Sequence, residues 1–328
     1  MKIISMLDDK ETLFKQIDAV AKKLGIDSIA VEKDIYVTKI IHVMSQVEHE
    51  SYRLVFQGGT CLAKAHKIIP RMSEDCDFRI EKKSSIELSR TKARNELKDF
   101  RQVIKINLKQ AGFATDDSTI KTRDEGHLIN IRLDYPSIYA QKFSALKPFL
   151  AVDFSLGDTK MPTIDLPITT LIKNTLGAVI KHPQKSIACV SISETVAEKL
   201  VGLTRRISTI QYRQHYNDPS LVRHIYDLYK INEAGKLEKE FTALIAKILP
   251  EEMDKFKTHN VQYTSNPHRE INQALKILEA KEWRQNWEQF IDDMVFEQNP
   301  PSYDKALENL NRLSENAINA ILRINKIS

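Results

Sequence analysis

The first half of the chain alternates between helical and strand-like patterns of apolar residues. From Glu11 to about Gln46, apolar side chains recur at helical spacing, which predicts helices. The pattern then changes to a short apolar run at residues 52–57, which indicates a strand. A Gly-Gly-Thr sequence interrupts this run, and residues 62–69 predict a short helix that Pro70 ends. The result is a strand, a glycine pair and a helix in series.

Three further strands and one long helix are predicted before the middle of the chain. Residues 75–80, 127–135 and 148–156 indicate strands, which would form a small mixed sheet. The helix is predicted over residues 85–111. Its buried stripe consists of Ala93, Leu97, Phe100, Ile104, Leu108 and Ala111. A second stripe, called the basic stripe below, consists of Arg90, Arg94, Lys98, Arg101, Lys105 and Lys109. The basic stripe is either a solvated helix face or a track for the phosphate backbone of a nucleic acid.

Helical patterns dominate from about Pro167 to the end of the chain. Ser191 and Glu194 have the spacing of a capping box, and Asp218 precedes a proline at a helix start. Asn266 and Pro267 start a helix whose predicted core face carries Trp283, Trp287, Ile291 and Met294. A last helix carries Leu310, Leu313, Ala317, Ile321 and Ile324. We therefore predict an α+β fold with two domains, residues 1–166 with the sheet and residues 167–328 with helices only.

Composition and charge narrow the class of protein. A membrane span needs about 18–20 consecutive apolar residues, and no apolar run in the chain approaches that length. We therefore expect a cytoplasmic protein without a membrane partner. Three cysteines without CxxC spacing, and nine histidines without HxxxH or HxH spacing, predict neither disulfides nor a zinc site. The net charge is +5, but residues 79–123 alone contain twelve Lys or Arg and six Asp or Glu. The positive charge is therefore local.

The glycine pair is the first candidate for chemistry. The chain has nine glycines, where average usage of about 7% would give roughly 23, and Gly58-Gly59 is its one Gly-Gly sequence. The pair and Thr60 stand where a strand gives way to a helix, so backbone N–H groups there can receive phosphate oxygens. The sequence is not a Walker A loop, because GxxxxGK[ST] is absent.

Acidic residues in two of the predicted strands are the second candidate. Asp75 and Asp77 project from the same side of a strand, and a divalent cation, Mg²⁺ or Mn²⁺, would offset their repulsion. Asp153 faces away from the apolar side of its own strand and would be a third ligand. The alternative is that Asp75 and Asp77 are two solvated acids of a surface turn.

These residues carry a resemblance to a known family. A glycine pair with Ser or Thr, a helix, a DxD sequence and a later strand acid resemble the polymerase β-like nucleotidyltransferase superfamily. Four segments together resemble its AbiEii/AbiGii branch of bacterial abortive-infection toxins over roughly residues 28–232: EKD (32–34), FQGGTCLAKAHKIIPRMSEDCDF (56–78), ETVAEKLVGLTRR (194–206) and VRHIYDLY (222–229). The resemblance implies a polymerase β-like nucleotidyltransferase core with a small mixed sheet and a C-terminal helical domain.

The resemblance also implies roles for individual residues. The expected nucleotide-binding residues are Gly58, Gly59, Thr60, Lys64, Arg71, Ser73 and Lys199. The expected catalytic residues are Asp75, Asp77, Asp153, Lys199 and Asp227, the first three of them as metal ligands. Two of these have ordinary alternatives, because Lys199 could be a surface lysine and Asp227 could form an ion pair with Arg223. The family's arginine-aspartate pair is replaced by NDPSLVRH, which leaves Asp218 and Arg223 as substitutes.

The expected activity is transfer of a nucleoside monophosphate from an NTP to an RNA acceptor, with the 3′ end of tRNA as one candidate. The resemblance implies a toxin of a type IV toxin–antitoxin or abortive-infection system, opposed by an antitoxin encoded nearby. Two alternatives remain open at this point. One is an inactive protein of the same fold that binds nucleotide or nucleic acid, and the other is a kinase-like phosphotransferase.

Overall fold

The computed structural model describes residues 10–83, 89–116, 118–139, 146–177, 185–212, 218–237 and 241–324. The chain divides into two compact units, residues 1–190 and residues 191–328. The predicted α+β fold is confirmed, with a mixed sheet in the first unit and helices in the second. The division falls later than the predicted boundary after residue 166, because one strand of the sheet (Ile164–Ile168) crosses that residue and another (Lys185–Cys189) lies beyond it.

The described part of the first unit contains one seven-stranded sheet. Its strands are β1 (Tyr52–Gln57), β2 (Asp75–Lys82), β3 (Ile120–Arg123), β4 (Leu128–Leu133), β5 (Leu150–Leu156), β6 (Ile164–Ile168) and β7 (Lys185–Cys189). The spatial order is β3-β4-β5-β2-β1-β7-β6. β2 pairs with β5, and β1 with β7, in parallel; the other neighbours are antiparallel. The four predicted strands are therefore present within a residue or two of their expected limits.

Helices cover one face of this sheet. The helices of the first unit are α1 (Lys10–Leu24), α2 (Ser28–Met44), α3 (Gly58–Lys64), α4 (Arg90–Gln110) and α5 (Leu171–Leu176). α2 and α4 share one hydrophobic core with β1, β2, β4 and β5. Leu97, Phe100, Ile104 and Leu108 of the predicted buried stripe are buried in that core. The start of the predicted helix, residues 85–88, lies outside the described residues.

Two predictions for this unit were wrong in detail. The chain after Pro167 is not wholly helical, because β6 and β7 pair with each other and β7 pairs with β1. Pro167 itself is tolerated in β6 because β6 is an edge strand, where a missing N–H need not break a ladder. The short helix begins at the glycine pair and ends at Lys64, earlier than the predicted end at Pro70.

The described part of the second unit is helical. Its helices are α6 (Ile192–Ile210), α7 (Val222–Glu233), α8 (Phe241–Phe256), α9 (Val261–Ser265), α10 (Pro267–Leu278), α11 (Lys281–Met294) and α12 (Tyr303–Ile324). The Ser191 hydroxyl accepts from the Glu194 N–H at 3.2 Å and caps α6 as predicted. Asp218 caps a 3-10 turn before α7, and the helix that starts at Pro267 ends before Trp283. No helix among the described residues has the length and apolar character needed to cross a membrane.

Candidate active site

The two faces of the sheet differ in chemistry. Phe78 of β2 lies between Phe56 of β1 and Phe154 of β5, with ring centroids 5.4 Å away on each side. These three rings belong to the core that α2 and α4 cover. Because neighbouring residues in a strand point to opposite faces, Asp77 and Asp153 project from the other face. The carboxylates and the covering helices therefore lie on opposite sides of the sheet.

Strand register brings the acidic residues together. Asp77 of β2 and Asp153 of β5 are direct partners in a parallel pair, and Asp75 is the partner of Ala151. Adjacent strands are about 4.8 Å apart, and residues two apart share a face, so three carboxylates lie on one small area. The structure therefore places Asp75, Asp77 and Asp153 together. Their role as metal ligands stays a prediction.

The electrostatic environment of Asp153 disfavours its charge. Burial raises the pKa of the Asp153 carboxyl above its usual value, and the nearby Asp75 raises it further. Opposing this, the Asn130 amide donates to Asp153 Oδ1 at 2.8 Å, and the positive charges of Lys147 and Arg132 lower the pKa. The balance remains upward because loss of hydration is the largest contribution. A bound cation would reverse this shift.

One lysine forms an ion pair with a carboxylate of this cluster. Lys147 Nζ lies 2.7 Å from Asp75 Oδ1. The backbone of Lys147 is held by a buried ion pair: its N–H donates to Glu74 Oε2 at 2.9 Å, and its carbonyl accepts from Lys33 Nζ, which also binds Glu74. The roles of all three residues were not predicted from the sequence. Lys33 and Glu74 lie in the quoted EKD and SEDCD segments, whereas no sequence signal marked Lys147.

The glycine pair lies close to Asp77 of β2 and to Arg71 and Ser73, which precede β2. Gly58 has φ +79°, and a Cβ added there would lie 2.3 Å from Asp77 Oδ2. A Cβ at Gly59 would lie 2.6 Å from Nη2 of Arg71 and 3.2 Å from the hydroxyl of Ser73. Any side chain at Gly58 would therefore occupy the place of the Asp77 carboxylate. This contact accounts for the glycine at position 58 independently of any ligand.

Thr60 connects the glycine pair to the start of β2. Its hydroxyl donates to the Asp75 carbonyl and lies 2.8 Å from the Ser73 hydroxyl. A threonine hydroxyl has one hydrogen, so Ser73 is the donor in the second bond. Arg71 donates from Nη1 to the Met72 carbonyl at 2.8 Å. The structure thus brings Gly58, Gly59, Thr60, Arg71 and Ser73 together beside the carboxylates.

Lys64 is engaged elsewhere. It is buried, and its Nζ binds Asp34 Oδ1 of α2, while Asp34 Oδ2 accepts from the Leu171 N–H at 2.7 Å. Lys64 therefore ties α3 to α2 through Asp34, and we leave it out of the proposed nucleotide contacts.

The two candidate residues of the second unit contact each other. Lys199 Nζ of α6 lies 2.9 Å from Asp227 Oδ2 of α7, and the side chains are 9% and 0% exposed. The alternative of a surface lysine is therefore wrong, and the ion pair of Asp227 is with Lys199, distant in sequence. Asp218 accepts from the Ser220 N–H and hydroxyl, so it acts as a cap.

The basic stripe runs along α4, on the sheet face opposite the carboxylates. Arg90 binds Glu125 at 2.7 Å in an exposed ion pair. Lys98, Arg101 and Lys105 line a cavity, and Arg94 and Lys109 are exposed outside it. The stripe and the three acids are therefore separated by the thickness of the sheet.

No group of three or more His, Cys, Asp or Glu side chains in the described residues has the geometry of a complete metal site. The observations that fit a cation are the paired register of Asp77 and Asp153, the raised pKa of Asp153 and the ammonium group at Asp75.

A comparison with models of protein families shows to which family this chain belongs. The model of the family described as "Nucleotidyl transferase AbiEii toxin, Type IV TA system" matches residues 43–309. This chain belongs to the AbiEii family. The AbiEii match covers the glycine pair, the three acids of the sheet, Lys199 and Asp227, and it confirms the resemblance inferred from the sequence. AbiEii proteins are nucleotidyltransferase toxins of type IV toxin–antitoxin systems, so a nucleotide substrate and a cognate antitoxin belong with this family.

A comparison of this AbiEii chain with solved structures shows a likeness at low sequence identity. The chain is similar to MenT4, a nucleotidyltransferase toxin from Mycobacterium tuberculosis H37Rv, with 15% sequence identity and a TM-score of 0.39. The match covers 90% of this chain and 98% of MenT4. A comparison with curated proteins found no match.

Proposed function

We propose that this protein is a Mg²⁺-dependent nucleotidyltransferase that transfers a nucleoside monophosphate from an NTP to RNA. The observation that carries the proposal is the register of β2 and β5, which sets Asp77 beside Asp153 next to the glycine pair. In the proposed reaction a hydroxyl group of the acceptor releases its proton to solvent, and its oxygen forms a bond to the α-phosphorus. The bond between the α-phosphorus and the bridging oxygen breaks, and pyrophosphate leaves with that oxygen.

Asp75, Asp77 and Asp153 would hold the metal, because three oxygen ligands with open positions suit Mg²⁺ bound together with phosphates. When bound, Mg²⁺ would offset the charge on the reacting phosphate and the leaving pyrophosphate. Lys147, held at Asp75 through its own backbone, would add a fixed positive charge at the same face. Asn130 would orient the Asp153 carboxylate through its 2.8 Å hydrogen bond.

The glycine pair would contact the triphosphate, and Thr60, which is buried and donates to the Asp75 carbonyl, would position the pair together with Arg71 and Ser73. Family membership supports this assignment, because the matched segment contains the glycine pair, Thr60, Arg71 and Ser73. Lys199 and Asp227 form a buried ion pair within the second unit, and both lie in segments that resemble the AbiEii pattern, which supports their proposed role in the reaction.

RNA is the proposed acceptor because the positive charge of the chain is concentrated around α4. Arg94 and Lys109 are exposed and would bind the phosphate backbone, releasing counterions. They lie on the face opposite the carboxylates, so the bound RNA would have to extend around the edge of the sheet to present its hydroxyl. A tRNA, whose acceptor end is separated from its body, is the class of RNA we propose.

A labelling experiment tests the reaction. Purified protein is incubated with Mg²⁺, total RNA and each NTP labelled at either the α- or the γ-phosphate. We expect label in RNA from the α position and none from the γ position. The double variant Asp75→Asn/Asp77→Asn should be inactive, whereas Asp165→Asn, at an exposed acid of β6 in the same sheet, should be active.

Each of the other outcomes contradicts a different part of the proposal. Transfer of γ label would show a kinase-like phosphotransferase. NTP binding without transfer to any RNA would favour an inactive binding protein. Activity that survives in Asp75→Asn/Asp77→Asn would place the chemistry elsewhere in the chain.

A further inference from the structure

A cavity of about 340 Å³ lies between α4 and the edge of the sheet formed by β3, β4 and β5. It is near the lower end of the range of about 300–1,000 Å³ that small-molecule sites occupy. Phe154 lines it, and its ring faces away from Asp153, so the cavity is on the face opposite the proposed active site. We propose that this cavity binds a small organic anion that has an apolar body.

The rim of the cavity supplies positive charge. Lys98, Arg101 and Lys105 of α4 line it, on successive turns of the helix. Arg101 is half-buried, with its guanidinium against the backbone of Gly126. Loss of hydration and the neighbouring Arg94 lower its pKa, so its environment disfavours the positive charge. Among the residues that the structure describes, no carboxylate forms an ion pair with Arg101. A bound anion would offset this cost.

The floor of the cavity is apolar. The apolar part of the lining consists of Ile104 of α4, Ile120 of β3 and Ile129 and Ile131 of β4. Water in contact with such a floor finds few hydrogen-bonding partners, so an apolar group there is favoured over solvent. A cationic rim above an isoleucine floor fits a molecule with a carboxylate or phosphate head and a hydrocarbon body. An inorganic anion would contact the rim and leave the floor uncovered.

The same lining argues against RNA as the occupant. Bases that leave the RNA stack bind on exposed aromatic or guanidinium planes. Phe154, the aromatic residue of this lining, is 2% exposed and stacks on Phe78 at 5.4 Å, so its ring offers no free face. Arg101 offers a guanidinium plane, but no aromatic ring of the described lining is exposed and four of its residues are isoleucines, so the lining favours an aliphatic body over a nucleobase.

Sodium octanoate is the probe, and binding is measured by isothermal titration calorimetry on the full-length protein. 1-Octanol matches the body without the charge, and sodium acetate matches the charge without the body. We expect octanoate to bind at least about tenfold more tightly than either, because a hydrogen bond to a charged group contributes about a factor of ten or more. NTP with Mg²⁺ should leave the octanoate affinity unchanged, since the two sites lie on opposite faces.

Variants assign the binding to this cavity. Arg101→Gln should weaken octanoate binding by about tenfold. Gln102→Glu, at an exposed rim residue, should weaken it as well while leaving the fold intact. Lys109→Gln removes the same charge from the same helix outside the cavity, and should change the affinity by less than about twofold because exposed charges are screened.

Two results would overturn the proposal. The first is no octanoate binding, or binding no tighter than that of acetate and octanol. The second is an equal loss of affinity in Lys109→Gln and Arg101→Gln, which would indicate general attraction to α4. Neither result depends on whether the nucleotidyl transfer is observed.

Discussion

Replacing Gly58 by alanine tests whether the position of the Asp77 carboxylate controls catalysis. The added Cβ would lie 2.3 Å from Asp77 Oδ2, so that oxygen must withdraw by about 1 Å to restore an ordinary contact of 3.4 Å. A displacement of about 1 Å at a reacting centre can lower the rate by about 100-fold. The left-handed conformation at φ +79° adds about 1–2 kcal/mol of destabilisation, which corresponds to a fall in Tm of roughly 2–8 °C.

The assay is the initial rate of α-labelled monophosphate transfer to RNA, read beside the thermal unfolding curve of each variant. Gly157→Ala is the matched control, because a Cβ at Gly157 meets nothing within 4 Å and its backbone needs no left-handed conformation. We expect Gly157→Ala to keep both the rate and the Tm. A displaced carboxylate should lower the rate by about 100-fold. If the folded Gly58→Ala variant transferred label within about threefold of the unaltered rate, the position of the Asp77 carboxylate would not control catalysis.

Three further predictions concern charged side chains. Asp153→Asn should abolish transfer but raise Tm at neutral pH. The pKa of Asp153 is raised in the folded protein, so its carboxyl lowers stability as pH rises from the usual aspartate pKa through the folded pKa. Asparagine does not ionise, so the variant avoids this loss. Asp227→Ala should cost about 3–5 kcal/mol in urea unfolding because it leaves Lys199 buried without its partner, and Lys199→Met/Asp227→Leu should recover most of that. Arg94→Gln/Lys109→Gln should reduce the salt dependence of RNA binding by a slope of about 1.4, or about 0.7 for each lost phosphate contact.

Each of these has a result that would contradict it. The Tm of the Asp153→Asn variant should exceed that of the unaltered protein by an amount that grows with pH over the acidic range. If this difference does not grow, burial does not destabilise the carboxylate. The control for the buried pair is Lys257→Ala, which breaks an exposed ion pair with Asp254 and should change the free energy of unfolding little. If Asp227→Ala lowered the free energy of unfolding by no more than Lys257→Ala does, burial of the Lys199–Asp227 pair would not explain its contribution to stability. An unchanged salt slope in Arg94→Gln/Lys109→Gln would remove α4 from the RNA-binding surface.

The strongly periodic elements could be predicted from the sequence. The buried stripe of α4 follows the period of a helix, and the alternation around Asp75, Asp77 and Asp153 follows that of a strand, so their faces depend on local geometry. β3, β6 and β7 were missed for the opposite reason. They are four or five residues long, and β6 contains Pro167, so the pairing partner rather than the local sequence makes each of them a strand.

The sequence by itself determined which side chains point together within one element, and it marked the glycine pair as unusual. Only the tertiary structure decided that Asp77 lies beside Asp153, that Gly58 faces the Asp77 carboxylate, and that Lys199 rather than Arg223 binds Asp227. The physical reason is that periodicity is a property of consecutive backbone dihedrals. Strand register and buried ion pairs depend instead on groups that are far apart in the chain and meet only when the core forms.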